Sequence, residues 1–229
     1  MATNVRTGTL SLDDIAPAPV YQTFQGGYVD AMPALTAEGG IPMSISELMK
    51  RRLQVLQLEN KGLVNAWWQN CFNSPDGVAY KGDEVKVVLN AQPLLDITPK
   101  AKLSQGALVL TEAQYSKLKG PTFSRKEMEK AGVNAWLTKS QVLKHPVWQA
   151  VASSELLKQY AYAHFKRYDT KTAMSVYLAD AQNQPTMRAL VLLSDGDSNR
   201  SNLGDYCGLD NYTALLVGVQ KDSLEAAVA

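Results

Sequence analysis

Cysteine and histidine are scarce in this sequence, and their scarcity limits the chemistry that the chain can perform. There are two cysteines and two histidines among 229 residues. A multi-histidine metal centre is therefore excluded, and no ligand spacing indicates a zinc site. Two cysteines far apart in a chain of this length are typical of reduced thiols in an intracellular protein, and not of a disulfide framework.

Long apolar runs are also lacking. No run approaches the roughly 18 residues that a membrane helix needs, and residues 1–14 contain no apolar segment typical of a secretory signal. The glycine patterns of P-loops and of dinucleotide-binding folds are absent as well. We therefore expect no membrane partner and no resident cofactor. The expected location is the cytoplasm or an assembled particle.

Positive charge is unevenly distributed along the chain. Residues 1–43 carry one basic residue against four acidic ones, residues 117–171 carry eleven against four, and residues 172–229 carry three against seven. A basic middle between acidic ends binds either an external anion such as nucleic acid, or the acidic ends of the same or a neighbouring molecule. The sequence leaves both interpretations open.

Aromatic residues are numerous in the central part of the chain. Interleaved with Lys158, Lys166 and Arg167, they would either stack on nucleic-acid bases or fill the core at helical spacing. The residues concerned are Trp67, Trp68, Trp136, Trp148, Tyr160, Tyr162 and Tyr168.

The N-terminal segment differs in composition from the rest of the chain. Residues 1–43 contain four prolines and two Gly-Gly pairs, with no sustained hydrophobic period. Such a stretch buries too little apolar surface to order itself. The sequence therefore predicts an extended N-terminal arm over 1–43, which docks on a partner or a sister subunit, and a single globular domain over 44–229.

Helix and strand signals alternate within the globular segment. A capping box at Ser44–Glu47 opens an amphipathic helix that ends near Phe72, and Pro146 opens a second long helix. Three further capping boxes, at Thr111, Ser124 and Thr138, open short helices. We predict an α+β fold with central helices flanked by β-hairpins and antiparallel strands. The predicted strands are Val78–Tyr80, Val85–Leu89, Ala107–Leu110, Ser175–Leu178, Met187–Leu193 and Thr213–Val219.

One charged segment resembles the core of a known enzyme class. Asp76 follows a proline, and Glu84 and Lys86 stand one residue apart, in the order of the PD-(D/E)xK metal-dependent nucleases. The resemblance covers about twelve residues and implies a Mg²⁺ ion held by the two carboxylates, with the lysine activating water. A polar turn that leads into a hairpin explains the same residues.

A second polar segment offers oxygen ligands at the spacing of a calcium loop. Asp195, Asp197, Asn199 and Ser201 occupy alternate positions between two apolar runs. Arg200 stands where such a loop has glycine, and Tyr206 where it has a bidentate acid. The alternative is a surface connection about sixteen residues long, stabilised by its own side chains, between two buried strands over Leu190–Leu193 and Ala214–Val219.

These observations favour a non-enzymatic interaction or assembly protein, of which a virion component is one form. The expected partner is another protein or a second copy of the chain. The alternatives are a Mg²⁺-dependent nuclease that uses Asp76, Glu84 and Lys86, and a non-catalytic nucleic-acid-binding module that uses residues 117–171.

Overall fold

The structure is a computed structural model that describes residues 12–16, 20–180, 183–195, 200–205, 207–211 and 214–220. The helices in this part of the chain are α1 (Leu12–Ile15), α2 (Tyr28–Ala37), α3 (Ile45–Val55), α4 (Lys61–Gln69), α5 (Gln92–Leu95), α6 (Glu112–Lys117), α7 (Arg125–Ala131), α8 (Lys139–Lys144), α9 (Pro146–Val151) and α10 (Ser154–Tyr168). The strands are β1 (Tyr21–Phe24), β2 (Gly40–Pro42), β3 (Phe72–Lys81), β4 (Glu84–Val88), β5 (Leu103–Ser104), β6 (Ala107–Val109), β7 (Thr122–Ser124), β8 (Leu137–Thr138), β9 (Thr172–Tyr177), β10 (Thr186–Asp195), β11 (Arg200–Gly204) and β12 (Leu215–Gln220).

The strands form one mixed sheet, which confirms the predicted α+β class. Its main path runs β1-β12-β3-β10-β11-β9-β8. The pairs β3–β12 and β9–β11 are parallel, and the other pairs are antiparallel. No helix in the described residues has the length and apolar composition needed to cross a bilayer.

Helices cover both faces of the sheet. The larger apolar cluster lies between one face and helices α3, α4, α8, α9 and α10. A second cluster lies between the opposite face and helices α2, α5 and α6. Burial on both faces explains why β3 is buried over nearly its whole length although its sequence is largely polar.

The predicted helix starts are confirmed. At Ser44 the hydroxyl accepts from the backbone N–H of Glu47, and the Glu47 carboxylate accepts from the backbone N–H of Ser44 at 2.7 Å. The boxes at Thr111, Ser124 and Thr138 have the same reciprocal geometry. The first predicted long helix is divided into α3 and α4, because Asn60 provides a second N-terminal cap. The second is divided into α9 and α10, because Ser153 provides another.

A buried arginine fixes the junction between α3 and α4. The Arg52 guanidinium is fully buried, and it donates to the carbonyls of Trp67 and Asn70, each at 2.8 Å, and to the hydroxyl of Tyr160 at 2.7 Å. Trp67 and Asn70 lie at the C-terminal end of α4, where carbonyls have no partner within the helix. The cation therefore satisfies those carbonyls and complements the negative end of the helix dipole.

The described residues of the expected N-terminal arm differ from the prediction. Strand β1 pairs with β12 from Tyr21 to Phe24, and β2 pairs with β12 as well. On α2, Met32 and Leu35 are fully buried. The glycines that indicated an irregular arm instead permit tight packing, since a Cβ on Gly40 would lie 3.1 Å from the Leu35 side chain. Residues 1–11 and 17–19 of the arm lie outside the described part of the chain.

Candidate functional site

The carboxylate of Asp205 lies buried beyond the end of β11. Its Oδ2 accepts a hydrogen bond from the hydroxyl of Tyr80 on β3. Its Oδ1 accepts one from the backbone N–H of Ala179, 2.7 Å away. The backbone N–H of Asp205 donates to the carbonyl of Tyr177 at 3.1 Å. This single residue therefore joins β3 to the segments that follow β9 and β11.

Burial sets the protonation behaviour of this carboxyl. Burial raises the pKa of Asp205 to about 6, and the hydrogen bonds from Tyr80 and Ala179 oppose that rise, as do the positive charges of Arg188 and Arg125. Burial and the adjacent carboxylate raise the pKa of Tyr80 well above its ordinary value, so its hydroxyl remains a donor. Asp205 thus changes charge not far below neutral pH.

Two arginines extend this group of residues toward the surface. On α7, Arg125 donates to the carbonyl of Ala179 at 2.8 Å and forms a salt bridge to the exposed carboxylate of Asp180 at 3.3 Å. On β10, Arg188 donates to the carbonyl of Gln105 in the turn between β5 and β6. Backbone groups of the connecting segments are therefore held by side chains from helices and strands.

The segment after Asp205 packs against the same turn. The backbone N–H of Leu209 donates to the carbonyl of Gly106 at 2.8 Å. Gly106 has a φ of +75°, and a Cβ built on it would lie 2.6 Å from the Cα of Gly208. The approach is so close that glycine is required there.

We call residues 104–106, 178–180, 183–185, 205 and 207–211, which lie in or at the ends of connections between strands, the loop surface. Its exposed side chains are amides and carboxylates, groups that provide hydrogen-bond donors and acceptors. They are Gln105, Asp180, Asn183, Gln184, Asp210 and Asn211.

The residues of the nuclease prediction are not brought together. Strand pairing sets Lys86 beside Ala79 and Glu84 beside Lys81, so both side chains share one face of the hairpin. Their side chains meet Tyr115, whose hydroxyl donates to Glu84 at 3.0 Å. Asp76 has the opposite parity and lies on the other face, where its carboxylate accepts from the backbone N–H groups of Ile45 and Asn90.

Both carboxylate oxygens of Asp76 are therefore used by the fold. Burial raises its pKa, and the two backbone hydrogen bonds oppose the rise. Asp76 fixes the start of α3 and the end of β4, and it is not positioned to share a Mg²⁺ ion with Glu84.

The residues of the calcium prediction lie partly outside the described chain. Asp197 and Asn199 are not described. Asp195 and Arg200 pair in the ladder between β10 and β11, and the Ser201 hydroxyl donates to the carbonyl of Leu193 at 3.0 Å. The expected long surface connection is therefore shorter than predicted, because Arg200–Gly204 forms a strand. The buried strands expected on either side of it are confirmed as β10 and β12.

No group of three or more potential metal ligands among His, Cys, Asp and Glu occurs in the described residues. Both histidines are buried. Burial lowers the pKa of His145 to about 4. Burial, with the charges of Arg52 and Arg167, lowers the pKa of His164 to about 3.

Sequence reasoning did not find Asp205 or its partners. Tyr80 and Asp205 are 125 positions apart, and neither belongs to a motif with a recognisable spacing. Arg125 lies inside a capping box, and Arg188 lies inside an apolar strand. The one local signal was an arginine in a strand predicted to be buried, because a buried guanidinium needs acceptors.

Comparison with known proteins shows similarity in fold alone. No family model matches the chain, and no curated protein matches it. A solved structure, described as "Accommodation of massive sequence variation in Nanoarchaeota by the C-type lectin fold", superposes with a TM-score of 0.69. The two sequences are 18% identical over 87% of this chain and 96% of the other. The chain therefore has the architecture of that C-type lectin fold.

Proposed function

We propose that the chain is a non-enzymatic binding protein that contacts a protein partner through the loop surface. One observation carries the proposal: buried Asp205 and its partners hold the loop backbone from rigid helices and strands. Binding residues in proteins are typically carried on loops that a rigid scaffold positions. The exposed amides and carboxylates on these loops supply the adaptable hydrogen bonding that protein-binding surfaces use.

The fold supports the same conclusion. The similar solved structure is described as accommodating massive sequence variation. A fold can do so only if its core contacts are separate from the residues that vary. In this chain the contacts that hold the loops are made by backbone groups and buried side chains, while Asn183, Gln184 and Asn211 are exposed. Substitutions at those three positions therefore leave the scaffold contacts in place.

The other expectations receive less support. The nuclease interpretation needs Asp76 and Glu84 on one side of the hairpin, and they lie on opposite faces. A docking arm needs surface that is free of its own chain, whereas residues 21–42 pack into the body. Partner binding is therefore assigned to the loop surface and not to the arm.

A peptide selection tests this proposal and requires no named partner. A phage-displayed random peptide library is panned against the immobilised full chain. The selected peptides are then measured against N183K/Q184K/N211K, which adds three charges to the loop surface. The matched control is Q54K/Q57K/Q69K, which adds three charges at exposed glutamines. Gln54 lies in α3, Gln69 lies in α4, and Gln57 lies between the two helices.

We expect most selected peptides to lose at least tenfold in affinity for the loop variant and to bind the control like the wild-type chain. Peptides that bind both variants equally well would overturn the proposal. So would a selection that yields no enriched peptide.

A further inference from the structure

A second exposed feature lies on α10, separate from the loop surface. The side of α10 that carries Leu156, Leu157, Tyr160, Ala161 and His164 is buried. Lys158, Tyr162 and Lys166 recur every four residues on the opposite, exposed side. Because residues four apart lie one above the other on a helix, these three form a stripe about 12 Å long.

Tyr162 is unusual among the aromatic residues of the chain. It is 58% exposed, and it is the one aromatic residue among the large exposed hydrophobic side chains of the described residues. Trp67, Trp68, Trp148 and Tyr160 are buried in the core. Of the aromatic residues that the sequence offered for base stacking, Tyr162 is therefore the exposed one, while Trp136 and Tyr168 are half-buried.

A third lysine completes the group. Helix α8 packs on α10, and the Nζ of Lys139 lies 5.5 Å from the centroid of the Tyr162 ring. We call Lys139, Lys158, Tyr162 and Lys166 the basic face. The ammonium lies over one face of the ring, so a base would stack on the other face with the positive charge close by.

The basic face has little negative charge around it. Residues 139–169 contain five basic residues and two acidic residues, Glu155 and Asp169. The Glu155 carboxylate accepts a hydrogen bond from the Gln159 side chain at 2.8 Å. None of the three lysines of the basic face forms a salt bridge within the described part of the chain. Their charge is therefore available to an external anion.

We propose that the basic face binds single-stranded nucleic acid, with Tyr162 stacked on a base and the three lysines contacting phosphates. This combination of a stacking ring with a positive track is what sequence-tolerant single-strand binding requires. A membrane surface fits less well, because a helix that inserts into a bilayer needs a broad free apolar face. The apolar face of α10 is already buried.

Fluorescence anisotropy of the full chain with labelled oligothymidylate and oligouridylate, each about twenty nucleotides long, tests this inference. The variants are K139Q/K158Q/K166Q, Y162A and Y162F. The charge-matched control is K100Q/K102Q/K117Q, at three exposed lysines on the opposite side of the sheet. Vesicles that contain about 30% anionic lipid provide a second anionic probe. Thermal melting shows that each variant is folded.

We expect the wild-type chain to bind both oligonucleotides, with affinity falling steeply between about 50 and 200 mM salt. The basic-face triple variant should bind at least tenfold more weakly. The slope of its log affinity against log salt concentration should be smaller in magnitude by about 2. Y162A should lose at least about fivefold while keeping the salt dependence, and Y162F should bind like the wild type. The control should also bind like the wild type.

Absence of oligonucleotide binding at about 50 mM salt would overturn the inference. Equal losses in the two triple variants, an unchanged affinity in Y162A, or binding to vesicles in preference to oligonucleotides would overturn it as well. None of these results bears on the loop surface, which is tested with different variants and a different probe.

Discussion

The hydroxyl of Tyr80 donates a hydrogen bond to the carboxylate of Asp205, and both side chains are fully buried. Tyr80 belongs to β3, in the middle of the sheet, while Asp205 precedes residues 207–211 of the loop surface. The hydrogen bond therefore holds the segment that follows β11 against the sheet. It also places an ionisable group where folding and protonation are coupled.

Replacing Asp205 with asparagine should change the pH dependence of stability. The folded-state pKa, about 6, is above the ordinary value of 3.8, so folding favours the protonated carboxyl. That stabilisation is fully present below pH 3.8 and is lost as pH rises through about 6. Relative to Asp205→Asn, the wild-type chain should therefore lose on the order of 3 kcal/mol between pH 4 and 7. Urea unfolding of both proteins across this range measures the difference. A constant difference would contradict the assignment.

Replacing His164 with phenylalanine should reduce sensitivity to acid. His164 is buried, stacks on Trp68, and has no hydrogen-bond partner for either ring nitrogen among the described residues. Because its pKa is lowered from 6.5 to about 3, its contribution to stability is present above pH 6.5 and is lost as pH falls. Phenylalanine keeps the ring contacts without a titrating group. The wild-type chain should lose about 1.4 kcal/mol per pH unit relative to His164→Phe between about pH 6 and 4.

His145 does not disturb that comparison, since it is present in both proteins. Parallel unfolding curves for the wild type and His164→Phe, from neutral pH to about pH 4, would mean that His164 is not the acid-sensitive group.

Replacing Arg52 with lysine should be strongly destabilising although the charge is kept. A lysine cannot reproduce the planar fork that reaches Trp67, Asn70 and Tyr160 together. At least one buried polar group would remain without a partner, and the expected loss of unfolding free energy is about 3 kcal/mol. The adjacent Arg51 is the control. Its guanidinium lies over the rings of Tyr21 and Trp67, and Arg51→Lys should cost about 1 kcal/mol or less.

Chemical denaturation of the two arginine variants under identical conditions makes this comparison. If Arg51→Lys were as damaging as Arg52→Lys, the hydrogen bonds at the end of α4 would not be what stabilises the junction.

Replacing Gly106 with alanine should damage the loop surface more than an equivalent change elsewhere. Gly106 and Gly82 both have positive φ, at +75° and +57°, so alanine is strained at each. A Cβ at Gly82 meets nothing within 4 Å, whereas one at Gly106 would meet Gly208 at 2.6 Å. Gly82→Ala should cost about 1 kcal/mol. Gly106→Ala should cost at least twice as much and should weaken binding of peptides selected on the loop surface. Equal stability and unchanged peptide binding in the two variants would contradict this packing.

Local signals in the sequence predicted local structure well. All four capping boxes are present, because each depends on residues three positions apart. Each of the six predicted strands overlaps an observed one, since runs of β-branched residues fit a buried pleated surface. Strands β1, β2, β5, β7, β8 and β11 were missed. Their sequences are short, polar or interrupted by glycine, and each is a strand because it pairs with one of the longer strands β4, β6, β9, β10 and β12.

Contacts between residues that are far apart in the chain could not be predicted from the sequence. Alternation correctly placed Glu84 and Lys86 on one face, but the parity of Asp76 depended on the register across the turn between β3 and β4. The pairing of Tyr80 with Asp205 required the fold itself. The accessibility of Tyr162, and not of Tyr160, follows from which side of α10 meets the core.

Amide hydrogen exchange with a bound peptide tests the central proposal most directly. The full chain is measured alone and in complex with the tightest peptide from the selection, and protection is mapped along the backbone. The proposal predicts that protection is concentrated at residues 104–106, 183–184 and 207–211. Protection confined to α8 and α10, or to any surface that excludes those three segments, would contradict the assignment of partner binding to the loop surface.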